Sequence, residues 1–265
     1  MKRFRVKPDQ RLHLDDFDPS DTSAFDGGKK ECAEINLGIQ QRIGELQELL
    51  YAEHQQRVLV VLQGMDTSGK DGTVRHVMND CSLQGVRVVS FKKPTDTELE
   101  HDYLWRVHSQ VPSNGEIAVF NRSHYEDVLV VRVHSDLGDK HWKKRFRQIN
   151  DFERMLAETG TTILKFFLHI SRDEQRERLE TRIQDPTKRW KFQHGDLDER
   201  KLWKDYMHAY EEALSETSTD CAPWYIVPAN HKWFRNYVVG KTIAEELEDL
   251  KMHYPEPDLS GERVE

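Results

Sequence analysis

The sequence predicts an α/β fold, with a mainly parallel five-stranded sheet and helices on both of its faces. Three observations lead to this prediction. Five short apolar segments alternate with stretches of helical periodicity, which is typical of consecutive βαβ units. The first of these segments, residues 58–62, is apolar without a break, like a strand buried on both faces of a parallel sheet. The 265-residue chain is 37% hydrophobic and contains no internal repeat or low-complexity linker, which favours a single domain.

The N-terminal region is predicted to be an irregular arm followed by a helix. Residues 1–33 are polar and contain Asp-Pro and Gly-Gly steps, which interrupt regular structure. From about residue 34 to residue 55, apolar residues recur at helical spacing. They are Ile39, Ile43, Leu46, Leu49 and Leu50. We therefore expect a helical N-terminal extension before the first strand.

The remaining strands and helices follow from the same periodicities. The other predicted strands lie at residues 86–91, 117–120, 162–170 and 224–227. Two helices begin with Ser or Thr followed three residues later by Glu, the pattern of a capping box. These pairs are Thr95 with Glu98 and Ser171 with Glu174. We expect the first helix to run from residue 95 to about 107 and the second to about 183. A further helix, marked by apolar residues from 142 to 156, ends at Gly160.

We expect the main domain to occupy residues 34–256, followed by a C-terminal tail at 257–265. Within this domain, residues 184–200 fit neither the helical nor the strand period. The segment combines Pro186 and Gly195 with basic and aromatic residues. Two interpretations are open: a mobile lid over the mouth of the sheet, or an inert surface insertion.

Composition and charge argue against several classes of function. The net charge of −8 argues against a protein that binds nucleic acid through bulk electrostatics. No stretch approaches the roughly 20 apolar residues of a membrane span, and the charged start of the chain lacks the apolar core of a secretory signal. The three cysteines are too widely spaced for a disulfide framework or a cysteine zinc site. We therefore expect a cytoplasmic protein with neither a membrane nor a nucleic acid as partner.

The strongest functional signal directly follows the first predicted strand. Residues 64–70 are Gly-Met-Asp-Thr-Ser-Gly-Lys, which matches G-x-x-x-x-G-K, and helical periodicity follows. In this layout the glycines let backbone N–H groups point at phosphate oxygens, and the helix N-terminus adds a favourable dipole. The alternative is an ordinary turn between a strand and a helix. The predicted phosphate-binding residues are Gly64, Met65, Thr67, Ser68, Gly69, Asp71, Gly72 and Thr73.

Two residues of this loop are candidate catalytic residues. Lys70 supplies a compact positive charge for a transferred phosphoryl group. The next residue is Asp71, where the motif expects Ser or Thr, so the hydroxyl that usually meets Mg²⁺ is missing. Asp66 lies inside the loop. Because Mg²⁺ prefers hard oxygen ligands, we expect Asp66 to hold this metal as a cofactor.

A second polar cluster follows the third predicted strand. Residues 121–127 are Asn-Arg-Ser-His-Tyr-Glu-Asp. Ligands of open parallel sheets bind beyond the carboxyl ends of the strands, so this cluster is expected to face the phosphate loop. Arg122 suits bidentate contact with phosphate and is the third candidate catalytic residue, and Glu126 and Asp127 are candidate Mg²⁺ ligands. For the two acids, the alternative role is to stabilise a helix N-terminus.

Several motifs, taken together and in order, resemble the polyphosphate kinase 2 family. They span roughly residues 30 to 255. They are LQGMDTSGKDGT at 62–73, FNRSHYEDV at 120–128, KFFLHIS at 165–171, WKF at 190–192 with GDL at 195–197, and APWY at 222–225 with PA at 228–229. The resemblance implies a P-loop kinase-like three-layer fold related to thymidylate kinase, a helical lid, dependence on Mg²⁺, and oligomers built from dimers.

The resemblance also implies an activity, the reversible transfer of a phosphoryl group from inorganic polyphosphate to AMP or ADP. The family's loop aspartate and lysine map onto Asp66 and Lys70, and its arginine after the third strand maps onto Arg122. Family members that phosphorylate ADP usually carry Asp-Arg-Ser-Trp-Tyr-Asn-Arg there, whereas in this chain Asn121 replaces the first aspartate and Glu126-Asp127 replace the Asn-Arg pair. In this respect it is similar to class III, the branch that accepts both nucleotides. The implied partners are inorganic polyphosphate, adenine nucleotides and further copies of the chain, as a dimer or tetramer.

Three lid cations, Lys188, Arg189 and Lys191, are expected to bind phosphate, to close over the reacting groups and to exclude water.

Other functions stay open. One is an ADP-only polyphosphate kinase. Another is an ATP-dependent nucleoside monophosphate kinase, which predicts Ser or Thr after Lys70, so that Asp71 counts against it. The last is a nucleotide-binding module without turnover, and the density of charged residues around one predicted site counts against it.

Overall fold

A fully parallel five-stranded sheet forms the centre of the protein. The computed structural model describes residues 1–258 and residue 260. The strands are β1 (Arg57–Gln63), β2 (Val86–Ser90), β3 (Ile117–Asn121), β4 (Thr161–His169) and β5 (Trp224–Pro228). Their order in the sheet is β2-β3-β1-β4-β5, and each neighbouring pair is parallel. The predicted α/β fold is confirmed.

Helices connect the strands and cover both faces of the sheet. They are α1 (Lys29–Glu53), α2 (Lys70–Val77), α3 (Asp96–Leu99), α4 (Trp105–His108), α5 (Val130–Val133), α6 (Asp139–Glu158), α7 (Arg172–Gln184), α8 (Gly195–Lys201), α9 (Trp203–Thr217) and α10 (Lys232–Asp249). The helices α1, α2 and α10 pack together, and α6 packs with α9. Both α10 and α6 contact β4, which is buried along almost its whole length. Because side chains alternate between the faces of a strand, this burial requires helices on both faces, and the sheet is the middle of three layers.

The apolar run that predicted the first strand lies in the middle of the sheet. Residues 58–62 are each at most 1% exposed, and β1 pairs with β3 on one side and with β4 on the other. Leu62 is in register with Asn121, and the N–H of Arg122 donates to the carbonyl oxygen of Leu62 at 3.2 Å. The segments that follow β1 and β3 are therefore neighbours at the carboxyl edge of the sheet.

The N-terminal region is more extensively packed than its polar sequence indicates. The helix α1 begins at Lys29, before the predicted start at 34, because Gly28 caps it and donates its N–H to the Glu31 carboxylate at 3.0 Å. The preceding arm buries several apolar side chains. These are Phe4, Val6, Leu12 and Leu14. The N–H of Val6 donates to the carbonyl oxygen of Trp224 at 2.8 Å, so the arm covers the edge strand β5.

The prediction of one helix from residue 95 to residue 107 is wrong, since two single turns, α3 and α4, occupy this segment. The capping box itself is present: the Thr95 hydroxyl accepts the N–H of Glu98, and the Glu98 carboxylate accepts the N–H of Thr95. Between the two turns, the Asp102 carboxylate accepts the N–H of Leu104 at 3.0 Å. This local hydrogen bond competes with the helical pattern and interrupts it.

Two further predictions concern the C-terminal tail and the absence of a membrane span. Of the predicted tail at 257–265, residues 259 and 261–265 lie outside the described residues. Within the described part of the chain, no helix combines the length and the apolar character needed to cross a bilayer.

Candidate phosphate-binding site

The phosphate loop, residues 64–69, joins the carboxyl end of β1 to the start of α2. Its backbone has a positive φ at Gly64 (150°), Thr67 (66°) and Gly69 (99°). At position 69 a Cβ would also lie 1.9 Å from Nη1 of Arg235, so any larger residue would displace this guanidinium. The helix α2 begins at Lys70, so its positive dipole end adjoins the loop. The loop therefore wraps tightly at a helix N-terminus.

Two hydroxyl groups of the loop are buried without a partner. Oγ1 of Thr67 and Oγ of Ser68 form no hydrogen bond with any described residue. Buried hydroxyls normally have a hydrogen-bond partner, and an anion bound in a loop is a common one. These two groups are therefore available to a ligand that carries acceptor oxygens.

The Lys70 side chain lies within the loop. Its Nζ donates to the carbonyl oxygens of Gly64 at 2.7 Å and Met65 at 3.3 Å, and the residue is only 8% exposed. Burial, together with the positive charge of Arg122, lowers the pKa of Lys70 to about 8. An anion in the loop would stabilise the charged ammonium, so the electrostatics of Lys70 favour a phosphate ligand.

Arg122 lies at the end of β3, beside the phosphate loop. Its Nη2 is 2.7 Å from Oδ1 of Asp66, and its Nη1 is 3.1 Å from Oε2 of Glu126. The Arg122 side chain is 40% exposed, so a ligand can reach the guanidinium. Lys70 is close enough for Arg122, Asp66 and Glu126 all to act on its pKa. The structure thus brings these four predicted site residues together at the carboxyl edge of β1 and β3.

Asp127 has a different partner, although it is adjacent to Glu126. Its Oδ1 lies 3.4 Å from Nη1 of Arg145 on α6, and the residue is only 8% exposed. Burial raises the pKa of Asp127, and the positive charge of Arg145 opposes this shift. The two acids lie in a 3-10 helix, His124–Val128, where consecutive side chains point in different directions. The structure therefore groups Glu126, but not Asp127, with Asp66.

Asp71, which replaces the expected Ser or Thr, bonds to groups outside the loop. Its Oδ1 accepts a hydrogen bond from Nδ2 of Asn121 at 2.6 Å, and its Oδ2 lies 3.7 Å from Nζ of Lys191. Burial would raise the pKa of Asp71, but the Asn121 amide and the Lys191 ammonium lower it overall. Asp71 is thus an ionised link between the loop, the end of β3 and the predicted lid.

The three predicted lid cations are not equivalent. Lys188 pairs with Asp185 at 2.5 Å, within its own segment. Arg189 donates its Nε to the carbonyl oxygen of Ile183 at 2.8 Å, near the C-terminus of α7. Of the three, Lys191 is the one that forms an ion pair next to the phosphate loop, with Asp71 in the first turn of α2. Phosphate binding by Lys188 and Arg189 stays a prediction.

The predicted lid also contacts the loop through α8. Arg200 donates to Oε1 of Gln175 at 2.8 Å, and Gln175 in turn donates to the carbonyl oxygen of Asp66 at 3.2 Å. Asp196 is 3.7 Å from Arg182. Burial and the nearby charge of Asp66 raise the pKa of Asp196. Residues 184–200 therefore lie close to the phosphate loop, and their mobility stays a prediction.

A buried polar network supports the segment that follows β3. Nζ of Lys165 donates to Oη of Tyr125 at 2.9 Å, to Oε2 of Glu153 at 2.6 Å and to the carbonyl oxygen of Thr217 at 2.7 Å. The other carboxylate oxygen of Glu153 lies 3.2 Å from Nε2 of His124. Lys165 and Glu153 are at most 1% exposed. The network therefore fixes the turn between Arg122 and Glu126 to α6, β4 and the end of α9.

The sequence did not predict the residues that hold the loop from behind. Arg178 on α7 donates to the carbonyl oxygens of Thr67 at 2.9 Å and Ser68 at 3.1 Å. The sequence contains a cluster of arginines at 172, 176, 178 and 182, and its composition is typical of a solvated surface. Helical phase was the available signal, because Arg178 shares the buried face of α7 with Gln175 and Leu179.

The carboxylates at the site suit a hard metal that also binds phosphate. Among the described residues, no three His, Cys, Asp or Glu side chains are arranged to hold a metal ion by themselves. Asp66 and Glu126 both reach Arg122, and each can supply carboxylate oxygens. Mg²⁺ is commonly bound by one or two carboxylates, with substrate phosphates and waters as its other ligands. The donor set fits Mg²⁺ bound together with phosphate.

Comparison with known proteins identifies relatives over almost the whole chain. The model of the family described as Polyphosphate kinase 2 (PPK2) matches residues 28–255. An AMP/ADP-polyphosphate phosphotransferase from Meiothermus ruber is 58% identical, over 100% of this chain and 99% of that protein. An ADP-polyphosphate phosphotransferase from Rhodopseudomonas palustris is 46% identical, over 96% of this chain and 92% of that protein.

A solved structure agrees with these matches. The crystal structure of Polyphosphate Kinase 2 from Arthrobacter aurescens TC1 superposes with a TM-score of 0.94 at 44% identity, and the match covers 97% of this chain and 92% of that one. The resemblance drawn from the loop and strand motifs is thereby confirmed. The chain belongs to the polyphosphate kinase 2 family.

Proposed function

We propose that this protein transfers a phosphoryl group between inorganic polyphosphate and the adenine nucleotides AMP and ADP. The observation that carries the proposal is the meeting of Asp66, Lys70, Arg122 and Glu126 at one phosphate loop. This arrangement provides cations for phosphate and carboxylates for a metal at the same edge of the sheet. The names of the two relatives described above support polyphosphate as the phosphoryl donor.

In the proposed reaction, the terminal phosphoryl group of polyphosphate lies at the loop. An oxygen of the nucleotide's terminal phosphate forms a bond to this phosphorus, and the bond from that phosphorus to the polyphosphate bridging oxygen breaks. The products are a nucleotide with one more phosphate and a polyphosphate with one fewer. The attacking oxygen is already anionic, because the second pKa of a phosphate monoester is about 6, so no general base is needed.

The residues of the chain position the reactants and neutralise charge. Loop N–H groups and the ammonium of Lys70 bind the transferred phosphoryl group, and the guanidinium of Arg122 binds a neighbouring phosphate. The orphaned hydroxyls of Thr67 and Ser68 donate to phosphate oxygens. Asp66 and Glu126 would hold Mg²⁺, which supplies further neutralisation of phosphate charge when it is bound. We leave Asp127 out of the proposed ligands because it pairs with Arg145.

The two nucleotide acceptors are proposed together. The AMP/ADP enzyme is 58% identical to this chain and the ADP enzyme 46%, so the more similar of the two relatives described is the one named for both nucleotides. Asn121 supports this choice through the resemblance to class III, since family members that phosphorylate ADP usually carry aspartate at this position; its amide donates to the Asp71 carboxylate at 2.6 Å. An ATP-dependent monophosphate kinase has no comparable support, since Asp71 faces Asn121 and Lys191 rather than supplying a hydroxyl.

The proposal includes a homo-oligomer, a dimer or tetramer, in the cytoplasm. The strand β2 lies at one edge of the sheet; Val88 in this strand is 49% exposed, and Leu83 in the turn before it is 93% exposed. Apolar side chains at a sheet edge are frequently covered in an assembly. The three cysteines are free thiols, which agrees with a reducing compartment. Nucleic acids and membranes are not among the proposed partners, and the net charge of −8 supports this for nucleic acids.

The test supplies polyphosphate, Mg²⁺ and either AMP or ADP, without ATP, and follows formation of ADP and ATP. Omitting polyphosphate controls for disproportionation of ADP. Lys70→Met should lower kcat/KM by about 100-fold or more, equivalent to roughly 3 kcal/mol of transition-state stabilisation. Lys201→Met removes the same charge from a side chain that is 76% exposed and should leave the rate unchanged. Turnover in Lys70→Met close to that of the unaltered protein would contradict the proposed role of the loop.

A further inference from the structure

Directly behind the phosphate loop lies a buried arginine, Arg235, on α10. The residue is only 3% exposed. Its Nη1 donates to the carbonyl oxygen of Ser68 at 3.2 Å, and its Nε and Nη2 donate to Oδ1 of Asn236 at 3.2 and 2.8 Å. A Cβ at Gly69 would lie 1.9 Å from Nη1 of Arg235, so the guanidinium touches the backbone of the loop.

The charge of Arg235 has no carboxylate partner among the described residues. Both of its acceptors, a carbonyl and an amide oxygen, are neutral. Burial and the positive charge of Arg178 lower the pKa of Arg235. A guanidinium nevertheless keeps its proton at neutral pH. The ligand-free protein therefore carries an uncompensated positive charge at this position. Such an unpaired buried charge is unfavourable.

The neighbouring Arg178 is different, because its charge and all its donors are in use. Its Nε pairs with Glu174 at 2.6 Å. Its Nη1 and Nη2 donate to four carbonyl oxygens, those of Thr67, Ser68, Ala229 and Asn230, at 2.7 to 3.1 Å. A guanidinium has five N–H donors, so none of them is left for a ligand. Arg178 fixes the loop, and Arg235 is the cation whose charge remains unbalanced.

One peptide group connects these arginines to the ligand side of the loop. The carbonyl oxygen of Ser68 accepts from both Arg178 and Arg235. This carbonyl and the N–H of Gly69 belong to the same trans peptide, so the N–H points in the opposite direction. Two cationic donors on the carbonyl polarise the peptide and make its N–H a stronger donor toward an anion.

We propose that Arg235 is a positioning residue for phosphate binding, whose unpaired buried charge is balanced by a phosphate held on the opposite face of the loop, without direct contact. The proposal rests on the proposed function only in requiring that the loop binds phosphate. Lys232 adds to the positive charge near the loop, because burial and the positive charges of Arg178 and Arg235 all lower its pKa. Phosphate binding should therefore relieve an electrostatic cost that is built into the ligand-free protein.

The test compares Arg235→Met, Arg235→Lys and the surface control Arg176→Met, whose side chain is 56% exposed. Calorimetry measures the Kd for inorganic tripolyphosphate, and thermal unfolding is followed with and without this probe. Arg235→Met should weaken binding by at least about tenfold, from the loss of a unit charge near the ligand. Its ligand-free Tm should stay equal or rise. Arg235→Lys should bind within about threefold of the unaltered protein, and Arg176→Met should match it.

Opposite changes in ligand-free stability and in affinity separate this role from a merely structural one. In kinetics, the KM for polyphosphate should rise in Arg235→Met more than kcat falls. If Arg235→Met does not fold, Arg235→Gln replaces it, because glutamine retains a donor for Ser68 without the charge. Affinity within twofold of the unaltered protein in the uncharged variant, or Arg235→Lys as weak as Arg235→Met, would overturn the inference.

The outcomes for the unaltered protein distinguish the two proposals. If it neither binds tripolyphosphate nor uses polyphosphate, the proposed function fails. If it does both and the uncharged variant of Arg235 behaves identically, the inference about Arg235 fails alone.

Discussion

The buried pair of Lys165 and Glu153 is the part of the site's support that can be tested most sharply. All three ammonium protons of Lys165 are in hydrogen bonds, and neither side chain is more than 1% exposed. Lys165→Met keeps an unbranched apolar side chain but leaves Glu153 as a buried carboxylate without its ammonium partner. Removal of one partner from such a pair typically costs about 3–5 kcal/mol. At about 2–4 °C per kcal/mol for a chain of roughly this size, the Tm should fall by roughly 6–20 °C.

The assay is denaturant and thermal unfolding of Lys165→Met, Glu153→Gln and the double variant. The double variant removes both charges together, so it should be less destabilised than the sum of the single variants, with a coupling of about 2 kcal/mol or more. Lys201→Met is the matched control. The Lys201 ammonium lies 2.7 Å from Asp198, similar to the 2.6 Å of the buried pair, but the side chains of Lys201 and Asp198 are both more than 70% exposed. This control should lose less than about 0.5 kcal/mol.

The buried network also bears on activity, since it holds the turn between Arg122 and Glu126. Under conditions where Lys165→Met is folded, its kcat/KM should be lower than that of Lys201→Met. A loss of less than about 1 kcal/mol in Lys165→Met, or additive effects in the double variant, would refute the reasoning from burial.

Four further predictions concern the loop and its neighbours. Because burial lowers the pKa of Lys70 to about 8, kcat/KM should fall as the pH rises through about 8. Lys70→Arg should move this fall to higher pH. A pH profile that is unchanged in Lys70→Arg would contradict the assignment of the fall to Lys70. The same depressed pKa means that the unfolded chain binds more protons between about pH 8 and 10.5, so this group makes the ligand-free protein more stable as the pH rises across that window, measurable by denaturant unfolding. Gly69→Ala should lower the free energy of unfolding by about 1–3 kcal/mol and weaken tripolyphosphate binding, because φ is 99° and the new Cβ would meet Arg235. Denaturant unfolding measures the first effect and calorimetry the second. The control is Gly138→Ala, where a Cβ meets nothing within 4 Å. Asn121→Asp should lower the free energy of unfolding by about 1 kcal/mol above pH 5 and by less at pH 4, since it exchanges a hydrogen bond to Asp71 for repulsion between partly exposed carboxylates. Denaturant unfolding at the two pH values measures this difference. An equal loss of stability at both would exclude repulsion as the cause.

Local sequence patterns predicted the elements well where a single segment carries the signal. The uninterrupted run at 58–62 became the central strand, and the Ser171 hydroxyl caps α7 by accepting the N–H of Glu174 at 3.1 Å. The helix predicted from residue 95 failed because a short-range hydrogen bond of Asp102 interrupted it. Competition of this kind between a side chain and the helix is decided by small energy differences that periodicity does not report.

Partners far apart in the chain were predicted less well. Glu126 and Asp127 are equivalent in the sequence, yet one pairs with Arg122 and the other with Arg145 on α6. Lys165 lies in a segment predicted as an apolar strand, and its charge is satisfied by Glu153 and by groups on other elements. Neither outcome could be inferred without knowing which elements face each other.

The sequence alone determined the five strands along the chain, the phosphate loop and its lysine, because apolar periodicity and glycine conformations act over a few residues. It also determined the family, through motifs that keep their order along the chain. Only the tertiary structure decided which charged residues are buried and what they pair with. Arg176 and Arg178 differ by two positions on α7, but the first is solvated and the second holds the phosphate loop. The physical reason is that burial and charge pairing depend on the packing of elements separated by many residues, and this packing sets both the field at the loop and the groups free to bind phosphate.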